Sequence, residues 1–362
     1  MDLGQKIAIL GPGAQYDTCG PKDFGQTTDI PGVYEAKVGG RYTCKIFKVL
    51  QSNFCRNNCH YCAFRRDRNY LRVNTTPEEM ARAFWSAYSR RLVQGLFLSS
   101  GISDSADRTM TSMINTVNIL RQKYRYQGYI HLKLMPGASL SCIEETAGIA
   151  NRISLNIEAP TEESLISLSP DKTLKKGFFS TLAEIKKVFE KRKFSGRKNP
   201  SLTTQFVVGA GSEKDWEIIK MTHFLYQTFS FKRVFYSAFR PVKQTPLENK
   251  PAVSLTREHR LYQADFLMRF YHFLPQDIPV DRNGFLSENT DPKTLWAQKH
   301  PHFFPVNLNR ADYWTLLKVP GLGPISAKKI LKLRGKGRVK NLAWLANQRL
   351  QILKISPYVC FY

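Results

Sequence analysis

Three cysteines stand close together early in the chain, in the sequence Cys55-Arg-Asn-Asn-Cys59-His-Tyr-Cys62. The C-x3-C-x2-C spacing places three thiolates on one short loop, and three thiolates can ligate three irons of a [4Fe–4S] cluster. The fourth iron then has no protein ligand, and a cofactor with an amino and a carboxylate group can chelate it. The spacing therefore predicts an iron–sulfur site with one open coordination position.

A structural zinc site is the alternative explanation of these cysteines. Zinc in such a site takes four protein ligands, so that His60 or Cys44 would have to complete the set. His60 follows Cys59 directly and is badly placed to join it around one tetrahedral ion. The seven cysteines are an odd number and three are clustered, which favours a metal site in a reducing cytoplasm over a disulfide framework.

The cysteine spacing resembles the signature of the radical S-adenosylmethionine (SAM) superfamily, including the aromatic Tyr61 just before the third cysteine and the strand pattern before the loop. This resemblance implies that SAM chelates the open iron and that an electron from the cluster cleaves SAM to a 5′-deoxyadenosyl radical. It also implies an electron donor such as flavodoxin or ferredoxin. In such an enzyme the cofactor carries the difficult chemistry, while the protein positions it and excludes water.

Six apolar strand patterns alternate with helical patterns from Cys44 onwards. The predicted strands are Ile46–Leu50, Leu96–Ser99, Gly128–Leu132, Ile153–Ile157, Thr204–Val208 and Arg233–Ser237. Strand-plus-helix units of this kind predict an α/β fold in which a parallel sheet curls into a partial (β/α)6 TIM-type barrel. The chemistry of such a fold takes place at the carboxyl ends of the strands.

Polar residues and glycines at these strand ends are the candidate SAM contacts. Ser99-Ser100-Gly101 follows the second strand and resembles the glycine-rich motif that contacts the SAM amino group, although the usual acidic residue is absent. Asn156 and Glu158 end the fourth strand and are expected to bond the SAM ribose or amino group; polar capping of the strand is the alternative. Gly209 follows the fifth strand and would let the backbone approach adenine closely, unless it is an ordinary turn glycine.

A second motif lies between Asn309 and Lys332 and resembles a helix-hairpin-helix DNA-binding motif. One helical pattern ends at Val319-Pro320, Gly321-Leu322-Gly323 makes a tight turn, and Pro324 suits the first position of a new helix. Glycines let the backbone approach a phosphate, whose charge the helix N-terminus favours. The expected nucleic-acid contacts are Gly321, Gly323, Lys328 and Lys329. An ordinary helix pair joined by a glycine turn is the alternative.

The charge of the chain indicates the same class of partner. Lys and Arg number 54 against 29 Asp and Glu, a formal net charge of +25, and residues 306–362 hold eleven basic residues and one acidic residue, Asp312. Such an excess predicts a partner dense in negative charge, most commonly a nucleic-acid backbone. An anionic membrane is disfavoured because no basic amphipathic helix stands out. No apolar run approaches the about 20 residues that span a bilayer.

Two further basic stretches each have two interpretations. The run Lys186–Lys198 is either a solvated helical face or an arm that contacts nucleic acid. Near the cysteines, Arg65, Arg66, Arg68 and Arg72 alternate with Phe64 and Tyr70. Arginines beside aromatics suit a surface that binds phosphates and bases, and plain surface charge is the alternative.

With both motifs in place, nearly the whole chain resembles the radical SAM family that is linked to uracil-DNA glycosylase and described as DNA modification or repair proteins. The supporting stretches are Gly95–Gly101, Gly128–Lys133, Tyr236–Phe239, Arg257–Asp265 and His302–Val306. The resemblance implies radical chemistry on DNA, with a uracil-DNA-glycosylase-like protein as a partner. A radical SAM enzyme acting on RNA and a non-catalytic iron–sulfur DNA-binding protein are the alternatives.

The expected domain organisation follows from the two motifs and from the composition between them. Residues 1–42 form an N-terminal extension, 43–274 the partial barrel, 275–305 a linker rich in Pro, Asp and Asn, and 306–362 an all-α nucleic-acid-binding domain.

Overall fold

The computed structural model describes residues 1–16, 30–38, 42–341 and 352–362. Within these residues the chain divides into two units, Met1–Glu213 with Phe224–Ser254, and Lys214–His223 with Leu255–Tyr362. The predicted N-terminal extension and the predicted C-terminal domain each lie partly outside the described residues. The domain boundaries expected from the sequence stay predictions.

The first unit is built on a curled seven-stranded sheet whose strands follow one another in chain order. The strands are β1 (Val33–Val38), β2 (Tyr42–Leu50), β3 (Gly95–Ser99), β4 (Tyr129–Lys133), β5 (Arg152–Ser154), β6 (Ser201–Val208) and β7 (Arg233–Ala238). All six predicted strands are present, and β2 to β7 pair in parallel. The expected α/β partial barrel is thus confirmed, with one additional strand, β1, antiparallel to β2.

One helix precedes the sheet, and the others lie between the parallel strands, as a βαβ topology requires. In chain order they are α1 (Leu3–Gly13), α2 (Pro77–Ser89), α3 (Ala106–Gln122), α4 (Leu140–Ile149), α5 (Glu162–Leu168), α6 (Ser180–Phe194) and α7 (Asp215–Phe229), and a π-helical stretch, Leu174–Phe179, precedes α6. Hydroxyl side chains define several starts. Thr76 and Glu79 form a capping box at α2, where Pro77 is the first helical residue. Ser105 and Thr161 cap α3 and α5 through their hydroxyl oxygens alone, which accept from the Arg108 and Ser164 N–H groups.

Alternate residues of each strand face opposite sides of the sheet. Phe47 of β2 contacts Phe84 of α2, with ring centroids 6.2 Å apart, so that Phe47 and its alternates face the helices. Lys48 and its alternates therefore face the other side, here called the inner face. On that face, Phe97 of β3 stacks on His131 of β4 at 4.0 Å, and Lys48 lies over the Phe97 ring. The inner face thus carries polar and aromatic side chains, whereas the helix-facing side is mostly apolar.

The second unit consists of short helices around its own core. They are α8 (Leu255–Phe270), α9 (Pro292–Lys299), α10 (Tyr313–Lys318), α11 (Pro324–Arg334) and α12 (Ile352–Ile355), with a two-residue strand pair, β8 (Val306–Asn307) and β9 (Val359–Cys360). Its core includes Leu316, Leu317, Ala327, Ile330 and Ile355, all fully buried. Across both units, the described residues contain no helix long and apolar enough to cross a membrane.

Candidate functional site

The three clustered cysteines lie on the loop that follows β2. Cys59 is buried, while Cys55 and Cys62 are partly exposed. The neighbouring loops hold this segment: the Arg56 N–H donates to the Ile102 carbonyl at 2.7 Å, and the His60 N–H donates to the Leu168 carbonyl at 2.8 Å. The loop is therefore fixed between the carboxyl end of β3 and the end of α5, at the edge of the sheet where a barrel enzyme has its active site.

The three thiols influence one another electrostatically. Burial raises the pKa of the Cys62 thiol to about 12, and the neighbouring Cys59 and Cys55 add to the increase. Burial likewise raises the pKa of Cys59, although the Lys172 ammonium opposes the effect. Iron ligation requires thiolates, so binding of a cluster must release these protons.

The donor set fits an iron–sulfur cluster, because three cysteine sulfurs on one loop are the ligands that such clusters take. No three His, Cys, Asp or Glu side chains among the described residues are already arranged as metal ligands. The Cys59 sulfur instead lies 3.0 Å from the Ser169 hydroxyl oxygen. A cysteine thiolate that ligates iron keeps lone pairs, so the Ser169 hydroxyl is in a position to donate to the Cys59 sulfur in the ligated state as well.

The Arg72 side chain holds the backbone of the cysteine loop in place. Its guanidinium stacks on the Tyr70 ring, with the carbon 3.8 Å from the ring centroid. Its two terminal nitrogens donate to five backbone carbonyls at 2.8–3.3 Å, those of Asn53, Phe64, Arg65, Arg66 and Arg68. The Tyr70 hydroxyl donates to two of the same carbonyls. The interpretation of Arg72 as a nucleic-acid contact is thereby weakened, because its donors organise the loop.

A buried ion pair stands beside the cysteines. Both carboxylate oxygens of Glu158 accept from the Lys172 ammonium at 2.8 Å, and both side chains are mostly buried. The Tyr61 hydroxyl hydrogen-bonds the same carboxylate, and burial together with the Glu158 charge raises the pKa of this phenol well above its usual range. Sequence reasoning selected Glu158 and Tyr61 but missed Lys172, which lies in a polar turn with no motif to distinguish it.

Glu158 has a backbone conformation that is uncommon for a residue with a side chain. Its φ is +69°, in the left-handed region. Its N–H and carbonyl both bond to β6, with Gln205 and Val207 as partners. Since such conformations cost energy and concentrate at functional sites, the location of Glu158 beside the cysteine loop is significant.

The predicted SAM contacts at the end of β3 have different surroundings. Ser99 is buried, and its hydroxyl oxygen has no hydrogen-bond partner among the described residues. The Ser100 hydroxyl bonds within its own loop, to the Gly101 carbonyl at 2.8 Å. Gly101 packs against the cysteine loop, where a Cβ would collide with the Phe54 carbonyl and lie 3.2 Å from the Cys55 Cβ. The glycine thus permits contact between the two loops.

The remaining predicted SAM contacts, Asn156 and Gly209, also lie beyond strand ends. Asn156 is partly exposed after β5, and its side chain has no hydrogen bond within the described part of the chain. Gly209 has a φ of +80°, as a turn glycine does, and its N–H donates to the Glu213 carboxylate. That bond occupies the donor that an adenine would otherwise use.

Ser154, at the end of β5, was missed by sequence reasoning. It pairs in register with Lys133 and, like Ser99, lies on the inner face. It is also buried, with a hydroxyl that lacks a hydrogen-bond partner among the described residues. Buried hydroxyls are normally satisfied, so two orphaned ones at the carboxyl edge of one face indicate a position for a polar ligand. A bound SAM would give these two hydroxyls hydrogen-bond partners, whereas an empty core would leave them without any.

The second unit contains the helical turn predicted to contact nucleic acid. α10 ends at Lys318, and α11 begins after Gly323, whose N-cap position has no side-chain hydrogen bond. Gly321 has a φ of +81°, and Leu322 between the glycines is buried. Lys328 is exposed, and Lys329 is partly exposed. The first turn of α11 therefore presents uncapped N–H groups beside a lysine, an arrangement that suits an anion.

Lys293 supports this turn from inside the second unit. Its side chain is 9% exposed, and its ammonium donates to the Leu322 carbonyl. Burial lowers the pKa of this ammonium to about 7, and the nearby Asp291 partly opposes the effect. Sequence reasoning assigned Lys293 no role because nothing in the sequence shows that α9 returns to the turn.

Comparison with known proteins finds a family model that is similar to part of the chain. Residues 49–225 match the family model described as the Radical SAM superfamily. The match includes the three cysteines and every predicted SAM contact from Ser99 to Gly209, and it ends before the helical turn of α10 and α11. No protein of curated function has a significantly similar sequence.

Several solved structures are similar to part of this chain. HydG, "a maturase of the [FeFe]-hydrogenase", is 14% identical over 60% of this chain and 48% of its own, with a TM-score of 0.47. Methylornithine synthase (PylB) is 16% identical over 61% of this chain and 60% of its own, with a TM-score of 0.45. A radical SAM methyltransferase from Sphaerobacter thermophilus is 14% identical over 66% and 72%, with a TM-score of 0.46. The chain spans about half the length of the first of these.

Cys59→Ala should abolish the cluster, because two thiols cannot hold the three irons that the spacing implies. We expect the anaerobically reconstituted variant to lose the brown absorbance and the paramagnetic signal of the reduced cluster. Cys142→Ala is the control, since Cys142 is buried on α4 and lies outside the loop. A Cys59→Ala variant with full iron content would contradict the assignment.

Arg72→Lys should weaken the cysteine loop although it keeps the positive charge, because an ammonium cannot reach five carbonyls. A hydrogen bond from a charged group contributes about 1.5–3 kcal/mol, so loss of iron to a chelator should be about tenfold faster or more. Arg66→Lys, at an exposed position of the same loop, should leave the rate unchanged. Equal rates in the two variants would show that Arg72 does not maintain the loop.

Lys293→Met should change how the stability of the second unit depends on pH. The folded-state pKa of about 7 lies below the ordinary lysine pKa, so the unfolded chain binds more protons between these values. Lys293 therefore destabilises the fold most at about pH 7 and below, and this cost disappears as the pH rises towards about 10.5. The melting temperature of the variant relative to the unmodified protein should fall over this range. A difference that is constant with pH would exclude a buried lysine with a lowered pKa.

Proposed function

Residues 49–225 are a radical SAM domain with a [4Fe–4S] cluster and SAM as cofactors, and on this premise we propose that the protein carries out radical chemistry on DNA. The reaction is modification of a base or sugar, or reversal of a lesion. The observation that carries the proposal is the glycine turn between α10 and α11, whose uncapped helix start and basic surroundings suit a phosphate backbone.

The residues of the first unit have separate tasks in this proposal. Cys55, Cys59 and Cys62 would hold the cluster, which together with SAM would supply the radical chemistry needed to remove hydrogen from an unreactive carbon. The orphaned hydroxyls of Ser99 and Ser154 bind polar groups of SAM on the inner face. Asn156 completes the contacts, whereas the N–H groups of the two other predicted residues, Gly101 and Gly209, already donate to the Ser52 carbonyl and the Glu213 carboxylate.

Glu158 has a positioning task here in place of the direct SAM contact first expected. Its carboxylate already bonds Lys172 and Tyr61, so that its remaining capacity to accept from a ribose is small. The ion pair fixes Tyr61, which directly precedes Cys62. Lys172 in turn places a positive charge near Cys59 and favours its thiolate.

The helical turn binds DNA without reading its sequence, because contacts to phosphates position a protein and do not distinguish bases. Gly321, Gly323 and the N–H groups at the start of α11 approach the phosphate, and Lys328 and Lys329 add charge. A base inside a duplex is inaccessible to a buried radical. The substrate nucleotide must therefore be flipped out or be single-stranded.

The expected partners and location belong to the same proposal. An electron donor such as flavodoxin or ferredoxin reduces the cluster, and a uracil-DNA-glycosylase-like protein acts with the enzyme on DNA. The reducing cytoplasm is the proposed location. The described cysteines form no disulfide with one another, as expected in that compartment: Cys44, Cys55, Cys59, Cys62, Cys142 and Cys360.

Gly323→Val tests the DNA contact without disturbing the fold. Gly323 has an extended backbone, with φ −106°, and an added Cβ would lie no closer than 3.4 Å to its nearest neighbour, the Tyr271 hydroxyl. Gly321 is less suitable, because its φ is positive and a Cβ would lie 3.0 Å from Ile355. Gly323→Val should weaken duplex binding, while reductant-driven 5′-deoxyadenosine release without DNA stays unchanged. Lys328→Gln should reduce the salt slope of binding by about 1, and Lys299→Gln on α9 should not.

The same preparations decide between substrates. Reconstituted protein with SAM and dithionite should release more 5′-deoxyadenosine with DNA than with structured RNA, and nucleoside mass spectrometry should show an altered deoxynucleoside. Stimulation by RNA alone would replace DNA as the substrate. A fully assembled cluster that never cleaves SAM would favour a non-catalytic binding protein.

A further inference from the structure

The carboxyl end of α6 exposes an aromatic side chain. Phe194, the last residue of this helix, is 96% exposed, more than any other large apolar side chain of the described residues. The apolar face of α6 is otherwise buried, through Leu182, Ile185 and Val188. An isolated exposed apolar residue is ordinary, but one that lies in a strongly basic stretch of the chain calls for an explanation.

Basic residues flank Phe194 in the sequence, with Glu190 as the one acidic residue close by. The α6 tip comprises Lys191, Arg192, Lys193, Phe194, Arg197 and Lys198. Lys191 pairs with Glu144 at 2.9 Å, and Arg192 donates to the Lys198 carbonyl. The side chains of Lys193, Arg197 and Lys198 are exposed and bond to no residue in the part of the chain that the structure describes. Three cations of the tip are thus available to a partner.

Helix capping accounts for only part of this arrangement. Basic residues in a last turn stabilise the negative end of the helix dipole, which suffices for Lys191 and Lys193. It does not account for Arg197 and Lys198, which follow the helix, or for an aromatic ring in water. Helix capping thus leaves two cations and an exposed aromatic ring unexplained, and together they indicate a contact with another molecule.

The backbone of the tip is fixed. The Gly196 N–H donates to the Lys193 carbonyl and the Arg197 N–H to the Arg192 carbonyl, at 3.0 and 2.9 Å. Gly196 has a φ of +69°, which closes the helix as a glycine after a last turn commonly does. The Asn199 side chain donates to the Phe189 carbonyl at 2.9 Å. An ordered loop presents its side chains at a lower entropic cost of binding than a mobile one.

We propose that the α6 tip binds single-stranded nucleic acid, with Phe194 stacked on an unpaired base and Lys193, Arg197 and Lys198 on the adjacent phosphates. Aromatic side chains combined with cations are the general means of holding single strands, because every base offers a ring face. A duplex offers no free face to Phe194, and a membrane would require a broader apolar surface than one ring among charges. The proposal rests on nucleic acid being the substrate and adds a contact on the unit that carries the cysteines.

Fluorescence anisotropy of the full-length protein with oligothymidylate of about 20 nucleotides tests the tip. Phe194→Ala should weaken binding about tenfold and Phe194→Trp should restore it, since stacking needs an aromatic ring. Lys193, Arg197 and Lys198 changed together to Gln should lower the salt slope by about 2. Lys186→Gln with Lys187→Gln, two exposed cations of the same helix, is the matched control and should have little effect.

The outcomes separate this proposal from the proposed function. If Phe194→Ala leaves oligothymidylate binding unchanged while Gly323→Val still loses duplex binding, the proposed role of the α6 tip is overturned. The proposed function is then unaffected. Absence of binding to any nucleic acid by the unmodified protein would overturn both. Phe194-dependent binding to phosphatidylserine vesicles without Phe194-dependent oligonucleotide binding would assign the tip to a membrane and overturn the proposal.

Discussion

Three sulfurs must be held on one short loop, close enough to share a cluster and yet without a fourth ligand. A free loop of this length would sample many conformations, and its thiols, buried beside one another, resist the ionisation that ligation requires. Arg72 counters the first problem, because one planar guanidinium fixes five carbonyls of the loop at once. Lys172 acts on the second, since its charge favours the Cys59 thiolate.

The sheet provides the remaining constraint. Because its parallel strands end at one edge, residues that are distant in the chain lie at that same edge. Ser99 and Ser154 are 55 positions apart in the sequence and lie on the inner face at the ends of β3 and β5. Their orphaned hydroxyls and the positive φ of Glu158 are the departures from ordinary protein structure in this region. Such departures are expected where a ligand completes the structure.

The sequence predicted the strands because each contains a short apolar run, to which the residues that face the helices contribute most. It missed β1, which pairs antiparallel at the edge and lacks such a run. The cysteines were recognisable because their chemistry depends on local spacing. Lys172, Lys293 and Ser154 were not, because their roles depend on long-range contacts. The arginines beside the cysteines were read as a surface, and only the structure shows that Arg72 faces carbonyls within the loop.

The proposed contacts differ in what they can distinguish, and each therefore has a different task. Phosphates are identical along a strand, so the turn between α10 and α11 can hold DNA without choosing a position. A stacking phenylalanine such as Phe194 accepts every base. On the proposed function, the choice of the atom that loses hydrogen therefore depends on the unit that carries the cysteines, and affinity depends on the basic surfaces.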